Sequence, residues 1–425
     1  MAALRRGRGN LPMPARAALM AVPRGSQEED VAAQAMVIQP DTAFLREVMA
    51  AGGGDLKKCY QCATCSVVCE LSPEEAPFPR KQMIEAQWGL KAQLLGDPAV
   101  WLCHNCGECT TQCPRGAHPS EVLGALRRVA IQNFAFPGFM GRLVASRKAL
   151  PLLFLLPILI FLSIARWAPK GQPTAHLEFA NVFPIPVLEA LFFAVSGLVL
   201  LAFGVSVYRC IQATNALGAG GKITKGLLPA LKQIVTHERF WSCDMRNWSL
   251  GHLLTMWGFI GLGIVGTVTG IGTMIGVLRT PLAFTSALKI FANLSAVVIL
   301  FGGVILLVER FRDPIKRAAS NYFDWFFLLT LVGVALTGIL AEATRLAQIA
   351  SLMYPVYFVH LVLIFTLFLY APYSKFAHLA YRTVAVAETE SRTSGGSKNS
   401  GESEHISIRP GEACEIGEQR PPGGD

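Results

Sequence analysis

The chain has 425 residues, of which 52% are hydrophobic and only 16% are charged. Soluble proteins usually carry about 25% charged residues, so this composition excludes a purely soluble protein. The formal net charge of +9 would suit nucleic-acid binding, but basic loops on a membrane protein give the same balance. We therefore expect membrane lipid, and no nucleic acid, among the partners.

The two ends of the chain have the composition of disordered tails. Residues 1–40 are polar and basic, without the apolar stretch of a secretory signal peptide, and Met20 or Met36 is an alternative start. Residues 383–425 are rich in Gly, Ser and Glu and show no periodicity. The folded domains are therefore expected between these two segments.

Eight of the eleven cysteines lie in two motifs within residues 41–136, a region with the pattern of soluble helices. Each motif has the spacing Cys-x2-Cys-x2-Cys-x3-Cys, and the members are Cys59, Cys62, Cys65 and Cys69, then Cys103, Cys106, Cys109 and Cys113. This is the bacterial spacing for two 4Fe–4S clusters, in which the fourth cysteine of each motif binds the other cluster. We therefore assign Cys113 to the first cluster and Cys69 to the second. The alternative is a pair of zinc ribbons, although zinc favours paired knuckles.

Residues 149–382 contain six apolar runs long enough to cross about 30 Å of hydrocarbon. They lie near residues 150–167, 183–208, 248–278, 288–308, 322–341 and 350–371. No strand pattern competes, so six transmembrane helices are predicted. Fifteen Lys and Arg residues lie in the loops on the side of the cysteine motifs, against five on the other side. The positive-inside rule then predicts that both termini and the cysteine domain are cytoplasmic.

Four histidines, His237, His252, His360 and His378, lie in or beside these apolar runs. Ionisable groups at membrane depth indicate function, although an interhelical hydrogen bond is the alternative for any one of them. On continuous helices, His360 and His378 would share one face about 27 Å apart, and His237 and His252 would lie roughly 22 Å apart. With antiparallel helices, His252 should face His360 and His237 should approach His378. Two such bis-histidine sites would suit two b-type haems.

Two resemblances bear on these patterns. The stretch from Ala371 to His378, with His360 eighteen residues earlier, resembles the last haem-bearing helix of the nitrate reductase gamma subunit family. That resemblance implies four histidine haem ligands, and His237 departs from it because the family spacing on the earlier helix is shorter. The cysteine domain is similar to the α-helical ferredoxin domain of succinate dehydrogenase iron–sulfur subunits and of the C subunits of heterodisulfide reductases. The predicted fold is all-α, with an α-helical ferredoxin domain followed by a six-helix transmembrane cytochrome b bundle.

Taken together, residues 41–382 resemble the membrane subunits (QmoC) of quinone-interacting membrane-bound oxidoreductases. This resemblance implies electron transfer between menaquinol or menaquinone and cytoplasmic flavin/iron–sulfur subunits (QmoA- and QmoB-like), in sulfate respiration linked to adenylylsulfate reductase. It also implies a position in the cell inner membrane. The sequence itself shows no obvious site for substrate chemistry other than that of quinone. The alternative is the membrane arm of a heterodisulfide reductase-like or dehydrogenase complex. A transporter would instead need acidic residues in mid-span, whereas Glu189 and Glu342 lie near span ends.

Overall fold

The structure is a computed structural model, and it describes residues 39–73, 77–169, 177–217, 223–238 and 246–396. Within these ranges the chain forms seventeen α-helices and no β-strand, which confirms the prediction of an all-α fold. The tail expected at residues 1–38, and the part of the other tail from residue 397 onward, lie outside the described residues.

Eight helices precede the first apolar span. They are α1 (Thr42–Ala50), α2 (Thr64–Val67), α3 (Arg80–Gln87), α4 (Lys91–Gly96), α5 (Ala99–Leu102), α6 (Glu108–Thr111), α7 (Pro119–Phe134) and α8 (Gly138–Ala145). Helix α1 begins where the Asp41 side chain accepts the N–H of Phe44 at 2.9 Å, which caps its first turn. Phe44 and Val48, four residues apart on one helix face, are both buried. They join Met83 and Leu123 in one hydrophobic core.

Nine helices make up the rest of the described chain. They are α9 (Leu150–Trp167), α10 (Ile185–Ala216), α11 (Ile223–Thr236), α12 (Arg246–Met274), α13 (Ala287–Arg312), α14 (Pro314–Ala319), α15 (Tyr322–Leu346), α16 (Ala350–Leu369) and α17 (His378–Gly396). Six of them, α9, α10, α12, α13, α15 and α16, are long and apolar enough to cross a membrane, as predicted. Large apolar side chains such as Leu198 and Leu200 on α10 are exposed at their outer surface, where lipid tails are as apolar as leucine.

Close packing of α12 against α13 depends on glycine. A Cβ at Gly258 would lie 2.7 Å from the backbone N of Ile299, and one at Gly302 would lie 2.7 Å from the backbone N of Thr255. The sequence predicts a small-residue contact stripe from Gly261 onward. The contact includes Gly261, where a Cβ would overlap the side chain of Ser295 on α13, and it also extends toward the start of α12, whereas a Cβ at Gly263 would have no neighbour within 4 Å.

The last apolar helix, α16, ends at Leu369, and two short 3-10 turns separate it from α17. Pro372 lies in the first of these turns, where its missing N–H and its ring oppose a continuing α-helix. The expectation that His360 and His378 share one continuous helix is therefore wrong. Helix α17 also continues through residues 383–396, so the expected aperiodic tail does not begin at residue 383.

Helix α17 joins the cysteine domain to the apolar bundle. Trp101 of α5 packs on Tyr381 of α17 with ring centroids 5.0 Å apart. The guanidinium of Arg209, near the end of α10, donates to the carbonyl of Ala135 at 2.8 Å. The two predicted domains therefore share a packed interface, and one hydrophobic core runs from Phe44 to Tyr381.

Candidate functional site

The two cysteine motifs fold in the same way. The second residue after the first cysteine and the residue after the second cysteine both take left-handed backbone, with φ of 61° at Gln61 and 69° at Ala63 in the first motif. The matching residues of the second motif, Asn105 and Gly107, have φ of 60° and 96°. The third cysteine of each motif then lies in a one-turn helix, α2 or α6. Such alternating turns gather backbone N–H groups into a concavity that favours anionic ligands.

The first group of thiols takes members from both motifs. Cys59, Cys62 and Cys65 line one cavity together with Cys113, the last cysteine of the second motif. The N–H of Ala117 donates to Sγ of Cys113 at 3.3 Å, a bond that favours a thiolate at that position. Cys62 is the exposed member of the group, so this site lies at the surface of the domain.

The second group is deeper. Cys109 is buried, and the sulfurs of Cys103, Cys106 and Cys69 are its principal electrostatic neighbours. The N–H of Asn105 donates to Sγ of Cys103 at 3.3 Å. The eight thiols thus form two sets, each with three cysteines from one motif and the last cysteine of the other.

Burial raises the pKa of three of these thiols. Burial raises the pKa of Cys65 to about 11, and the neighbouring Cys59 and Cys62 thiolates raise it as well. Burial also raises the pKa of Cys69 to about 11 and that of Cys109 well above its usual range. Such thiols hold their protons at neutral pH until a metal centre replaces them. Each set therefore needs positive charge from a bound group to become a set of thiolates.

The spacing of the donors is wider than one metal ion requires. In the described ranges, no three His, Cys, Asp or Glu side chains converge closely enough to hold a single ion. Zinc draws its sulfur ligands to about 2.3 Å, whereas a cubane distributes four thiolates over four irons. The donor sets therefore fit iron–sulfur clusters better than the alternative of two zinc sites.

Three of the four candidate histidines meet at the bundle end that contacts the cysteine domain. Nε2 of His237 lies 2.8 Å from Nδ1 of His252, and the rings of His252 and His378 have centroids 6.1 Å apart. Nδ1 of His378 bonds to the carbonyl of Lys375; a carbonyl only accepts, so the proton is on Nδ1 and Nε2 can bind a metal. Two imidazoles that share one metal through bonds of about 2 Å have ring centroids roughly 6 Å apart. The His252 and His378 pair has that spacing.

His360 lies apart from these three residues. Its Nδ1 is 3.1 Å from the hydroxyl of Thr337, which donates its own proton to the carbonyl of Gly333 at 2.6 Å and so accepts from the imidazole. A Cβ at Gly338 would lie 3.0 Å from Cε1 of His360 and 3.6 Å from Nε2. Both nitrogens of the His360 imidazole therefore lie close to residues of α15. Within the described part of the chain, its ring neighbour is Tyr357, with centroids 6.5 Å apart.

The predicted pairing of His252 with His360 is wrong. His252 approaches His378 rather than His360, and His237 contacts His252. His237 follows the end of α11 and has a left-handed φ of 55°. His237 and His252 are therefore not on one continuous helix, and the predicted distance between them does not apply. The break after Leu369 likewise invalidates the helical distance from His360 to His378.

A charged cluster that the sequence did not predict lies between the histidines and the cysteine domain. The Asp324 carboxylate, which is buried, lies 2.5 Å from the ammonium of Lys375 and 3.9 Å from the guanidinium of Arg128 on α7. Arg310 donates to the backbone carbonyl of Asp324 at 3.5 Å. One sequence signal could have found it: Asn321 and Asp324 have the spacing of a capping box, and both capping bonds form at the start of α15.

Comparison with known proteins identifies the first of these sites. Residues 55–117 match the family described as "4Fe-4S dicluster domain". The chain is 37% identical over 102 residues to the C subunit of the H(2):CoB-CoM heterodisulfide,ferredoxin reductase of Methanothermobacter thermautotrophicus, covering 24% of this chain and 52% of the relative. It is 34% identical over 96 residues to the C subunit of the Ferredoxin:CoB-CoM heterodisulfide reductase of Methanosarcina mazei, covering 23% and 56%. Residues 55–117 form an iron–sulfur domain related to those subunits.

The match to these subunits is confined to the cysteine domain, and the chain spans about half the length of these curated relatives. Citrate utilization protein B of Escherichia coli is 24% identical over 387 residues, which cover 85% of this chain and 95% of that protein. No solved structure matches the chain. An iron–sulfur domain related to the heterodisulfide reductase C subunits is therefore followed by six helices that could span a membrane.

Proposed function

We propose that this chain is the membrane electron-transfer subunit of a quinone oxidoreductase complex. It carries electrons between menaquinol or menaquinone and a cytoplasmic flavin/iron–sulfur partner. Three features support this function: the dicluster domain, the six apolar helices and the histidine pair at their inner end. The basic loops on the side of the cysteine domain support a cytoplasmic position for that domain.

The proposal rests on one hydrogen bond between the histidine-bearing helix α17 and the cysteine domain. The guanidinium of Arg382 donates to the carbonyl of Leu102 at 3.4 Å, and Leu102 directly precedes Cys103. His378 is only four residues before Arg382, about one helical turn of 5.4 Å. The second thiol set is therefore connected to the histidine pair through the backbone of α17, Arg382 and Leu102.

The histidine pair fits a b-type haem by its spacing and by the proton on Nδ1 of His378. Bound there, such a haem would supply a one-electron carrier suited to electron transfer rather than oxygen activation. His252 and His378 would hold it, and the Lys375 carbonyl would fix the His378 tautomer. The chain's own contribution is the distance and orientation of these two rings.

The partner is expected at the first thiol set. Cys62 is exposed, and Tyr60 and Val67 beside it are 69% and 83% exposed. Exposed apolar side chains around a redox site favour docking of another protein. The proposed order of redox sites is therefore the histidine pair, the Cys103 set, the Cys59 set and the partner. The resemblance to quinone-interacting oxidoreductases favours QmoA- and QmoB-like partners and a link to adenylylsulfate reductase.

A second candidate is the membrane arm of a dehydrogenase complex. It is favoured by the relative that matches over almost the whole chain and whose name refers to citrate utilisation. In this case the partner would be a flavoprotein that oxidises a carboxylic acid. Affinity purification of the tagged chain from solubilised membranes separates the two candidates, because the recovered subunits would be either QmoA- and QmoB-like proteins or a carboxylate dehydrogenase.

The proposed function is tested by stopped-flow absorbance with a menaquinol analogue. The purified complex should show reduction of b-type haem and then bleaching of the iron–sulfur absorbance. Cys106→Ser should leave the haem reducible by quinol while electron delivery to the partner stops. Cys210→Ser is the matched control, because Cys210 belongs to neither thiol set. Absence of haem, or haem that quinol cannot reduce, would contradict the proposal.

A further inference from the structure

The four membrane histidines do not lie at two matching depths, as two bis-histidine sites would require. Contacts between neighbouring helices give the register. His360 meets Thr337 on α15, and a Cβ at Gly303 on α13 would lie 2.7 Å from Val332 on α15. Gly303 is therefore level with Val332. Thr337 is five residues after Val332, and because α13 and α15 are antiparallel, it is level with about residue 298 on α13, five residues before Gly303. Gly258 contacts Ile299, so His360 is level with about Phe259 on α12.

His252 is seven residues from Phe259 on the same helix. This spacing corresponds to about 10 Å along the helix axis, and it shifts His252 toward the cysteine domain. No histidine of α12 lies level with His360, since the residues around that position are Gly258, Phe259 and Leu262. Across the bundle, the ring of Phe259 packs on Phe376 with centroids 5.0 Å apart. On α12, the position level with His360 is therefore occupied by a phenylalanine, which cannot bind iron.

His237 has a different role from the other three. Its Nε2 is 2.8 Å from Nδ1 of His252, so it contacts the far nitrogen of that ring. If Nε2 of His252 binds iron, the ring carries its proton on Nδ1 and donates it to His237. Such outer hydrogen bonds orient a ligating imidazole and increase its basicity. His237 is also buried, which strengthens a bond of this kind.

We propose that the bundle binds a single b-type haem between His252 and His378, with His237 as the positioning residue for His252. His360 is not an axial ligand. The inference rests on the proposed function only in requiring that haem is bound. It departs from the two-haem pattern implied by the resemblance to the nitrate reductase gamma subunit family.

The first test is the haem content of the full-length chain in detergent, measured as pyridine haemochrome against protein. The expected ratio is one haem per chain. His252→Leu and His378→Leu should each lower it at least tenfold, and His360→Leu should leave it unchanged. Iron and sulfide content of the cysteine domain serves as the fold control for each variant. A ratio of two, or loss of half the haem in His360→Leu, would overturn the inference, whereas a wild type without haem would contradict the proposed function instead.

The second test concerns His237 and uses a matched pair of variants. His237→Leu removes the hydrogen bond, and His237→Gln can restore it through its amide. Without the bond His252 is a weaker base and favours the reduced iron, so the reduced-to-oxidised ratio at fixed ambient potential should rise roughly two- to tenfold, the equivalent of one hydrogen bond. Glutamine should reverse most of this shift. Loss of haem from both variants would make His237 a ligand, and an unchanged ratio in His237→Leu would remove its positioning role.

Discussion

The ammonium of Lys375 lies 2.5 Å from the carboxylate of Asp324, and the backbone carbonyl of the same lysine bonds to Nδ1 of His378. Arg128, from the cysteine domain, approaches the same carboxylate at 3.9 Å. One buried acid therefore connects helix α7 of the cysteine domain, the start of α15 and the turn that orients His378. This relationship gives a direct test of how the two domains are held together.

Asp324→Asn should destabilise the chain by about 3 kcal/mol, because removing one member of a buried ion pair leaves the opposite charges without compensation. The midpoint of thermal unfolding in detergent, followed by circular dichroism, measures this loss. The matched control is Asp55→Asn, since Asp55 pairs with Lys58 and His118 at the surface and exposed pairs contribute at most about 1 kcal/mol. Equal midpoints for the two variants would contradict the structural role of Asp324.

Gly226→Ala should separate α11 from α17. A Cβ at Gly226 would overlap the carbonyl oxygen of Ala387, so the two helices must move apart at a cost of about 3 kcal/mol. Gly204→Ala on α10 is the control, because no atom lies within 4 Å of that Cβ position and alanine is the better helix former by about 1 kcal/mol. The midpoint of thermal unfolding should fall for the first variant and stay level or rise for the second.

Gly107→Ala should weaken the second thiol set. Gly107 has a left-handed φ of 96°, and a Cβ there would lie 2.9 Å from the side chain of Ile315 on α14. The backbone strain is about 1–2 kcal/mol, added to the clash. Ala63→Gly at the equivalent position of the first motif is the control and should retain both clusters. Acid-labile sulfide per chain measures the outcome, and full content in Gly107→Ala would argue against this account.

The crossed thiol sets predict which cysteine variants share a phenotype. Cys113→Ser should alter the same electron paramagnetic resonance signal as Cys62→Ser, because both residues line one cavity. Cys69→Ser should instead alter the signal affected by Cys106→Ser. If Cys113→Ser groups with Cys106→Ser, each motif binds its own cluster and the crossed assignment fails.

The cysteine motifs and the apolar spans could be predicted from sequence because both are local patterns. The spacing from Cys59 to Cys69 determines which sulfurs a short loop can bring together, and the match over residues 55–117 agrees with that chemistry. The length of an apolar run can likewise be compared with the thickness of the hydrocarbon core of a bilayer. The six spans therefore appear where the sequence predicts them.

The histidine arrangement was decided by tertiary structure. Spacing along a chain gives a distance only within one uninterrupted helix, and His237 lies beyond the end of α11 while Pro372 separates His360 from His378. Which ring meets which then depends on helix register, and that register follows from glycine contacts such as Gly258 with Ile299. Those contacts join residues far apart in sequence, so the local pattern identified the histidines, and only the packed bundle determined that His252 meets His378.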